Sequence, residues 1–178
     1  YPMAHMVWGD GGFLAKIGSV DFAGGNVVHI SSGITALTLC ILLGKRYDYK
    51  RANYKIHNTP MVALGAFILL FGWFGFNAGS ALAADGLAAH AFVTTAVSSA
   101  AAMLSWMFCD VVVNKKPTFV GACTGMVAGL VGITPGAGFV PVWAALIIGL
   151  TTSPICFFMI SWVKEKFGYD DALDAFGC

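Results

Sequence analysis

Long apolar runs separated by short polar breaks make up most of the chain. Five of these runs reach, or nearly reach, the roughly 20 residues that an α-helix needs to cross the hydrocarbon core of a bilayer. We therefore predict about five transmembrane helices, of which the fourth is the shortest. The predicted spans are residues 22–43, 60–80, 87–109, 119–133 and 139–162.

The polar breaks between the spans alternate in charge. Every second break contains lysine or arginine, whereas residues 83–86 and 134–138 contain neither. Basic loops are retained on the cytoplasmic side of a membrane. The basic breaks are therefore predicted to be cytoplasmic, and residues 1–21 to face the other side. The predicted cytoplasmic loops are residues 44–59, 110–118 and 164–169.

The composition leads to the same class of protein. Of the 178 residues, 58% are hydrophobic and 11% are charged, whereas soluble domains average about 45–50% and about 25%. The formal net charge is +1, and the chain lacks the broad basic surface that binds nucleic acid. The predicted fold class is an all-α membrane protein, and nucleic acid is not an expected partner.

The cysteines and histidines do not predict a metal site. The five cysteines contain no Cys-x-x-Cys pair, and four of them lie in or beside apolar spans, which favours packing over disulfides. No two histidines have the three- or four-residue spacing that presents two ligands on one helix face. The spans also lack an acidic pair or a nucleophile beside a base. We therefore expect no metal, no cofactor and no enzymatic activity.

Small residues recur at helical spacing in two of the spans. Gly121, Gly125 and Gly129 form one small-xxx-small pattern, and Gly75 with Gly79 forms another. In lipid, such faces allow two helices to approach each other closely. We expect most of these glycines to be packing residues of a helix bundle.

His29 is the clearest polar residue inside a predicted span. A titratable side chain at depth in a bilayer usually faces a bundle interior or a water-filled route, which makes it a functional candidate. The alternative is a neutral histidine held by one interhelical hydrogen bond. His90 lies near the outer end of the third span, where its ring is expected to extend toward the interface. Asp21 directly precedes the first span and has the side chain of a helix N-cap.

The stretch FGWFGFNAGS, residues 71–80, contains four aromatic rings and three glycines at the end of the second span. An aromatic face attracts a cation, and tryptophan does so most strongly. Asn77 and Ser80 can accept hydrogen bonds from a bound group, so the stretch suits a small cation that donates hydrogen bonds. The alternative is that the rings are interfacial anchors. The candidate rings are Trp8, Trp73, Phe74 and Phe76.

Several ordered motifs resemble those of the Amt/Mep/Rh ammonium transporters, and specifically the Amt branch. The resemblance extends over nearly the whole chain. Its main motifs are HMVW at residues 5–8, DFAGGNVVH at 21–29, GWFGFNAGS at 72–80 and DDALDAFG at 170–177, with HNTP at 57–60 and GITP at 132–135 in support.

The resemblance implies a fold and an assembly. Members of this family are eleven-helix bundles with two inverted five-helix repeats, assembled as homotrimers with one pore in each subunit. By this resemblance, residues 1–178 form a single, partial transmembrane ammonium transporter domain, from the end of the family's fourth helix to the start of its tenth. The chain would be an internal piece of a longer transporter in the lipid bilayer of a bacterial or archaeal cell membrane.

The resemblance also implies roles for the matching residues. Trp8 and Ser80 match an outer ammonium recruitment site, where the indole offers a cation–π contact and the hydroxyl a hydrogen bond. Phe76 matches one of two stacked phenylalanines that gate the pore. His29 matches the first of two paired pore histidines. Asp21 matches an aspartate that supports the recruitment site.

Other positions match less fully. Trp73 falls where the family has a pore-adjacent tryptophan. The second pore histidine would directly follow residues 176–178, and the second gate phenylalanine belongs to an earlier helix, so neither is within this chain. His90 and Thr94 stand where the family pattern leads us to expect a small or apolar residue and an asparagine.

The function that the resemblance implies is transport of ammonium or ammonia across a membrane. Ammonium would lose water at the aromatic site, lose its proton, and pass the pore histidines as the neutral amine while the proton is relayed separately. The alternative is an ammonium-sensing membrane domain coupled to a signalling module. A cytoplasmic regulator of the PII type is a further partner that the family suggests.

Overall fold

The computed structural model describes residues 1–51 and 55–178, and among these residues it contains helices and no strand. Residues 52–54 of the predicted loop 44–59 lie outside the described residues. Two short helices precede five long ones, and the predicted all-α membrane fold class is confirmed. The helices are α1 (Pro2–Trp8), α2 (Phe13–Lys16), α3 (Gly25–Leu43), α4 (Thr59–Ala81), α5 (Gly86–Asn114), α6 (Phe119–Ile133) and α7 (Val142–Phe167).

Four of the described helices are long and apolar enough to cross a membrane, namely α3, α4, α5 and α7, with 19 to 29 residues each. The remaining long helix, α6, has 15 residues, in agreement with the short fourth span of the prediction. Side-chain caps begin three of the helices. Asn58, Asp85 and Thr118 each accept hydrogen bonds of 3.0 Å from backbone N–H groups of the first turn of α4, α5 and α6.

Two helices extend further than predicted. Because α5 continues to Asn114 and α7 to Phe167, the predicted loops 110–118 and 164–169 begin only after these residues. Asp110 remains in the helix although it is charged and only 3% exposed. Its carboxylate accepts hydrogen bonds of 3.0 and 2.7 Å from the backbone N–H and the hydroxyl of the residue that caps α6. Such partners offset much of the cost of burying a charge.

The central helix of the bundle is α5, which packs along both α6 and α7. Gly125 and Gly129 of α6 face it closely, since an added Cβ would lie 2.9 or 2.7 Å from a carbonyl oxygen of α5. The predicted packing role of this glycine pattern is confirmed. At Gly75 and Gly79, an added Cβ would meet no described atom within 4 Å. This second pattern therefore does not pack helices together within the described part of the chain.

The bundle has two ends that carry different chemistry. At one end, here called the Trp8 end, α1 and the start of α3 meet the end of α4 and the turn at residues 134–141. At the other end, here called the basic end, the start of α4 lies near the start of α6 and the segment after α7. The three basic loops therefore share one end of the bundle.

Candidate functional site

The carboxylate of Asp21 holds the start of α3. Asp21 is 8% exposed, and its Oδ1 accepts hydrogen bonds of 2.7 Å from the N–H groups of Gly24 and Gly25. Its Oδ2 accepts hydrogen bonds of 2.7 and 3.3 Å from those of Asn26 and Val27. The first N–H groups of a helix have no partner within the helix. The predicted N-cap position of Asp21 is wrong, because Gly24 occupies it, but the Asp21 carboxylate pairs with the first N–H groups of α3 from three residues further back.

The same aspartate orients Trp8. The indole Nε1 donates a hydrogen bond of 2.8 Å to the backbone carbonyl oxygen of Asp21, while Trp8 remains 51% exposed. The edge of the ring lies over Gly24, where an added Cβ would be 3.7 Å from Cη2 of Trp8. Gly24 has a φ of 111°, which is in the left-handed region that favours glycine. Trp8 therefore presents an aromatic face of defined orientation, as a cation–π contact requires.

Gly25 brings α3 against the turn that follows α6. An added Cβ at Gly25 would lie 2.6 Å from Cβ of Pro135. The backbone N–H of Phe22 donates a hydrogen bond of 2.9 Å to the carbonyl oxygen of Pro135. A side chain at position 25 would overlap the proline ring, so only glycine permits this approach. The approach also brings Thr134, which precedes the proline, beside α3.

The hydroxyl of Thr134 joins His29 to Trp73. Thr134 is fully buried, and its Oγ1 lies 3.1 Å from Nε2 of His29, 3.1 Å from Nε1 of Trp73 and 2.8 Å from the carbonyl oxygen of Leu130. The hydroxyl donates its single proton to Leu130, and the indole N–H is only a donor. Thr134 therefore accepts from both rings, which assigns a hydrogen to Nε2 of His29. Nδ1 of His29 is left as the hydrogen-bond acceptor of the ring.

Three rings meet at this point. The centroid of the His29 ring lies 5.4 Å from that of Trp73 and 5.8 Å from that of Phe76, with interplanar angles of 22° and 23°. Trp73 and Phe76 are themselves 5.4 Å apart. His29 belongs to the first part of α3, Gly25–Ile30, which is π-helical, and π-helical turns are frequent at functional sites. The structure thus brings together three residues that the sequence singled out separately.

The two polar residues of the FGWFGFNAGS stretch lie close to these rings along α4. Ser80 donates a hydrogen bond of 2.9 Å to the carbonyl oxygen of Phe76, which leaves the lone pairs of the hydroxyl as acceptors. Asn77 is fully buried and donates from Nδ2 to Oγ1 of Thr95 at 3.0 Å. Its Oδ1 has no hydrogen-bond partner among the described residues. Ser80 can therefore accept a hydrogen bond from a ligand.

A cavity of about 810 Å³ extends from His29 toward residues 173–178. Its walls come from α3, α4 and α6 and are largely apolar, with Leu69 and Val131 among them. Asp174 is the acidic residue on its wall among the described residues. The cavity thus joins the ring cluster at the Trp8 end to the segment that follows α7.

His90 and Thr94 both bind the turn after α6. Nε2 of His90 donates a hydrogen bond of 2.8 Å to the carbonyl oxygen of Val140. Thr94 is fully buried, and its Oγ1 lies 2.7 Å from the carbonyl oxygen of Ala137. The His90 ring is therefore held by the turn between α6 and α7, and the expectation that it extends toward the interface stays a prediction. Both departures from the family pattern are packing contacts between α5 and the turn.

The basic end is held by ion pairs. Nε and Nη2 of Arg46 donate hydrogen bonds of 2.8 and 2.7 Å to the two carboxylate oxygens of Asp170, and the backbone N–H of Arg46 donates a third. The hydrogen bonds from Arg46 hold the pKa of Asp170 below its ordinary value. Lys164 and Asp174 form a second pair, with 2.5 Å between Nζ and Oδ1.

The residues that the sequence analysis missed are those that position the site. Thr134 and Pro135 entered only as part of the GITP motif, and Gly25 only as part of DFAGGNVVH. The signal that could have found Thr134 is its combination of a hydroxyl with a following proline at the end of an apolar span. Which side chains that hydroxyl joins depends on contacts between residues about 60 and 105 positions apart.

The described residues therefore form a helical membrane protein with an exposed, oriented indole and a histidine among aromatic rings at one end of an apolar cavity. The model of the Ammonium Transporter Family matches residues 1–178, and the chain belongs to this family. The family resemblance inferred from the sequence motifs is thereby confirmed.

Known proteins of the same kind are similar over almost all of this chain. It is 52% identical over 176 residues to an ammonium transporter of Bacillus subtilis. The aligned region covers 99% of this chain and 43% of that protein. The crystal structure of Saccharomyces cerevisiae Mep2 matches with a TM-score of 0.89 and 41% identity, over 99% of this chain and 40% of that one. A structure described as a sensor Amt protein matches with a TM-score of 0.91 and 31% identity, over 98% and 46%. The chain spans about two-fifths of the length of the curated relatives it matches.

Proposed function

We propose that this chain forms part of the route by which ammonium or ammonia crosses a membrane. The observation that carries the proposal is the position of His29, which contacts two aromatic rings, is hydrogen-bonded to Thr134 and lies at one end of an apolar cavity. An ionisable ring in such surroundings is suited to handling a proton. Membership of the ammonium transporter family supports ammonium as the substrate.

The first step is recruitment of ammonium at the Trp8 end. The exposed face of Trp8 attracts the cation, with a contribution of about 0.5–2 kcal/mol that rises as the cation loses water. The lone pairs of Ser80 accept a hydrogen bond from ammonium, because the hydroxyl proton is used toward Phe76. Asp21 acts indirectly by orienting the indole and capping α3. Recruitment thus uses both the charge and the N–H groups of the substrate.

The second step is loss of the proton and passage of the neutral amine. Phe76 is 38% exposed and contacts the His29 ring, so it is the residue that controls access to the histidine. Nδ1 of His29 accepts a hydrogen bond from the amine or relays the proton, while Trp73 keeps the ring in place through Thr134. A charge is strongly disfavoured in an apolar cavity, whereas neutral ammonia is tolerated.

Selectivity against potassium follows from the same chemistry. Potassium donates no hydrogen bond and has no proton to lose. An apolar route leaves its desolvation cost without any offset. The proposed route therefore rejects an ion of similar size to ammonium.

The test of the proposal is methylammonium uptake by cells that express the full-length protein with a His29→Ala change. We expect uptake to be abolished or its pH dependence altered, while ammonium still binds at the Trp8 end. His57→Ala, which changes a histidine near the basic end, is the matched control. Unaltered uptake by the His29 variant would rule out a role for this ring in conduction.

Two further variants separate recruitment from gating. Trp8→Leu is expected to lower uptake at low substrate concentration, because the cation–π contact is lost. Phe76→Ala is expected to change the flux or the selectivity with assembly intact. Phe74→Ala is the control for the latter, since Phe74 stacks on Phe92 at 4.0 Å instead of contacting His29. If Phe76→Ala and Phe74→Ala have equal effects, Phe76 is a packing residue and does not gate the route.

A second candidate function is ammonium sensing. The similarity to a structure described as a sensor Amt protein, at 31% identity, favours it. A sensor would bind ammonium at the same residues and change the activity of an attached signalling module. Sequencing the gene on both sides of these residues, and measuring net uptake in cells without another ammonium transporter, distinguishes the two functions.

The proposal extends to topology and partners. We propose that the full-length protein is a homotrimer in a bacterial or archaeal cell membrane and that it has a cytoplasmic regulator of the PII type. The excess of lysine and arginine at the basic end supports a cytoplasmic location for that end. Labelling of single cysteines placed at positions 45 and 85 with a membrane-impermeant reagent tests the orientation, and only position 85 should react from outside.

A further inference from the structure

Two residues of α5 hold the turn at residues 134–141 from one side. Nε2 of His90 donates a hydrogen bond of 2.8 Å to the carbonyl oxygen of Val140. The hydroxyl of Thr94 lies 2.7 Å from the carbonyl oxygen of Ala137 and 3.1 Å from that of Ala91 in its own helix. Thr94 and Ala137 are both fully buried, and a buried carbonyl group needs a partner. These two contacts therefore fix the turn against α5.

The segment that leads into α3 holds the same turn from another side. The backbone N–H of Phe22 donates a hydrogen bond of 2.9 Å to the carbonyl oxygen of Pro135. The ring of Phe22 packs edge-to-face on that of Phe139, with 5.3 Å between the ring centroids. A side chain at Gly138 would overlap the Phe22 ring, so the turn lies directly against it. The turn is thus held between α5 and the segment before α3.

The position of this turn decides the hydrogen bonds of Thr134, with which it begins. The Thr134 hydroxyl lies 3.1 Å from Nε2 of His29 and 3.1 Å from Nε1 of Trp73. Both distances are near the long end of the ordinary range for an N–H···O hydrogen bond. A small movement of the turn away from α3 and α4 would therefore break both bonds and release His29 from its tautomer.

We propose that His90 and Thr94 are positioning residues for His29. By fixing the turn against α5, they keep the Thr134 hydroxyl within hydrogen-bond distance of His29 and Trp73, and so keep the hydrogen of the His29 ring on Nε2. Neither residue is among those described on the wall of the cavity at His29, so both act through Thr134. The consequence for transport rests on the proposed function, in which His29 handles the proton.

The charged and titratable groups that face His29 are not altered by changes on α5. Among the described residues, α4 and the turn present uncharged groups to the ring, namely Trp73, Phe76 and Thr134. The carboxylate of Asp21 acts on the ring from the segment before α3. Asp174, Cys123 and Cys178 lie on the wall of the cavity that His29 also lines. A changed pH profile in a His90 or Thr94 variant would therefore report on Thr134.

The experiment measures the pH profile of methylammonium uptake by cells that express the full-length protein with His90→Leu or Thr94→Val, beside Thr134→Val. Each change on α5 removes the donor and keeps much of the side-chain volume. We expect both to shift the profile in the same direction as Thr134→Val, with the KM unchanged because the recruitment residues are intact. His90→Gln and Thr94→Ser, which keep a donor, should restore the profile.

Ser105→Ala is the matched control. The Ser105 hydroxyl also joins α5 to a carbonyl oxygen of another segment, that of Leu150 at 2.8 Å, but this residue belongs to α7 and not to the turn. The change should leave the pH profile as it is in the wild-type protein. A role in packing alone would lower the amount of protein or the maximal rate of uptake without shifting the profile.

Combined variants test whether the two residues act through Thr134. Adding Thr94→Val to Thr134→Val should shift the profile no further, because the hydroxyl that Thr94 positions is already absent. Additive shifts, or a wild-type profile in the His90→Leu and Thr94→Val variants, would overturn the proposal. Absence of uptake by the unaltered protein would instead contradict the proposed function. The same pair of changes, measured by thermal unfolding, then decides the proposal: non-additive losses support the coupling to Thr134, and additive losses overturn it.

Discussion

The two ends of the bundle are held together by different kinds of interaction. At the Trp8 end, one buried carboxylate accepts hydrogen bonds from four backbone N–H groups, and a glycine lies directly against a proline ring. At the basic end, the ion pairs Arg46–Asp170 and Lys164–Asp174 hold the segments together. Lys164 and Asp174 have side-chain exposures of 22% and 30%, so water and salt reach this pair. In the other pair the side chain of Arg46 is 45% exposed and that of Asp170 is 1% exposed, so water and salt reach it only from the side of Arg46.

The difference teaches how the proposed site is kept in shape. Backbone donors are already ordered by the helix, so their contacts cost little additional entropy and fix the positions of Trp8 and His29. Ion pairs between long, partly exposed side chains must order those side chains and are weakened by salt. We therefore infer that the Trp8 end is rigid and preorganised, whereas the basic end can adjust.

The largest effect is expected for Asp21→Ala. The change leaves several buried N–H groups unpaired at about 1–3 kcal/mol each, so the free energy of unfolding should fall by at least about 3 kcal/mol. Uptake should be lost with it, since both α3 and Trp8 lose their anchor. Thermal unfolding of the detergent-solubilised protein measures this. Asp85→Ala, which removes an exposed cap from α5, is the control and should cost about 1 kcal/mol; equal losses would contradict the comparison.

Gly25→Ala is expected to have the next largest effect. The added Cβ would lie 2.6 Å from Pro135, and overpacking of this kind costs about 1–3 kcal/mol. Uptake should fall because α3 moves away from Thr134. Gly65→Ala is the control, since an added Cβ there meets nothing within 4 Å among the described residues. Adding Pro135→Gly to the Gly25 variant should restore part of the uptake. If it does not, overlap with the Pro135 ring is not the cause of the loss.

Thr134→Val tests the hydrogen bonds at the centre of the site. The change keeps the shape of the side chain but leaves the Trp73 N–H unpaired, at about 1–3 kcal/mol. It also releases the His29 ring from one tautomer, so the pH profile of uptake should shift. Thr134→Ser should restore the profile. Thr151→Val, on an exposed part of α7 where the hydroxyl donates to carbonyl oxygens of the preceding helical turn, should change nothing.

The smallest effect is expected at the basic end. The pKa of Asp170 is lowered by Arg46, so the stabilisation is present above the ordinary aspartate pKa of about 3.9 and is lost as the pH falls through the lower, folded-state pKa. The unfolding temperature should therefore fall below about pH 4, and Asp170→Asn should reduce that fall. Asp10→Asn is the control. Added salt should weaken the wild-type pair from the side of Arg46, which is 45% exposed; salt independence would contradict this access.

The apolar pattern was sufficient to predict the five long helices, because the thickness of the bilayer sets the length of an apolar run that crosses it. The span predicted at residues 119–133 has the same bounds as α6. The ends of α5 and α7 were predicted too early, because polar composition was taken to end a helix. Asp110 shows why this fails, since a charged residue continues a helix when a neighbouring residue satisfies its carboxylate.

The sequence by itself determined the membrane class, the presence of the five long helices and the family, because apolar run length and ordered motifs are local properties of a chain. It also singled out Trp8, Asp21, His29, Trp73, Phe76 and Ser80 as candidates. Only the tertiary structure decided that Thr134 links His29 to Trp73, that Gly25 permits this by contact with Pro135, and that His90 and Thr94 contact the turn after α6. Such contacts join residues distant in the chain, and their geometry depends on how the helices pack.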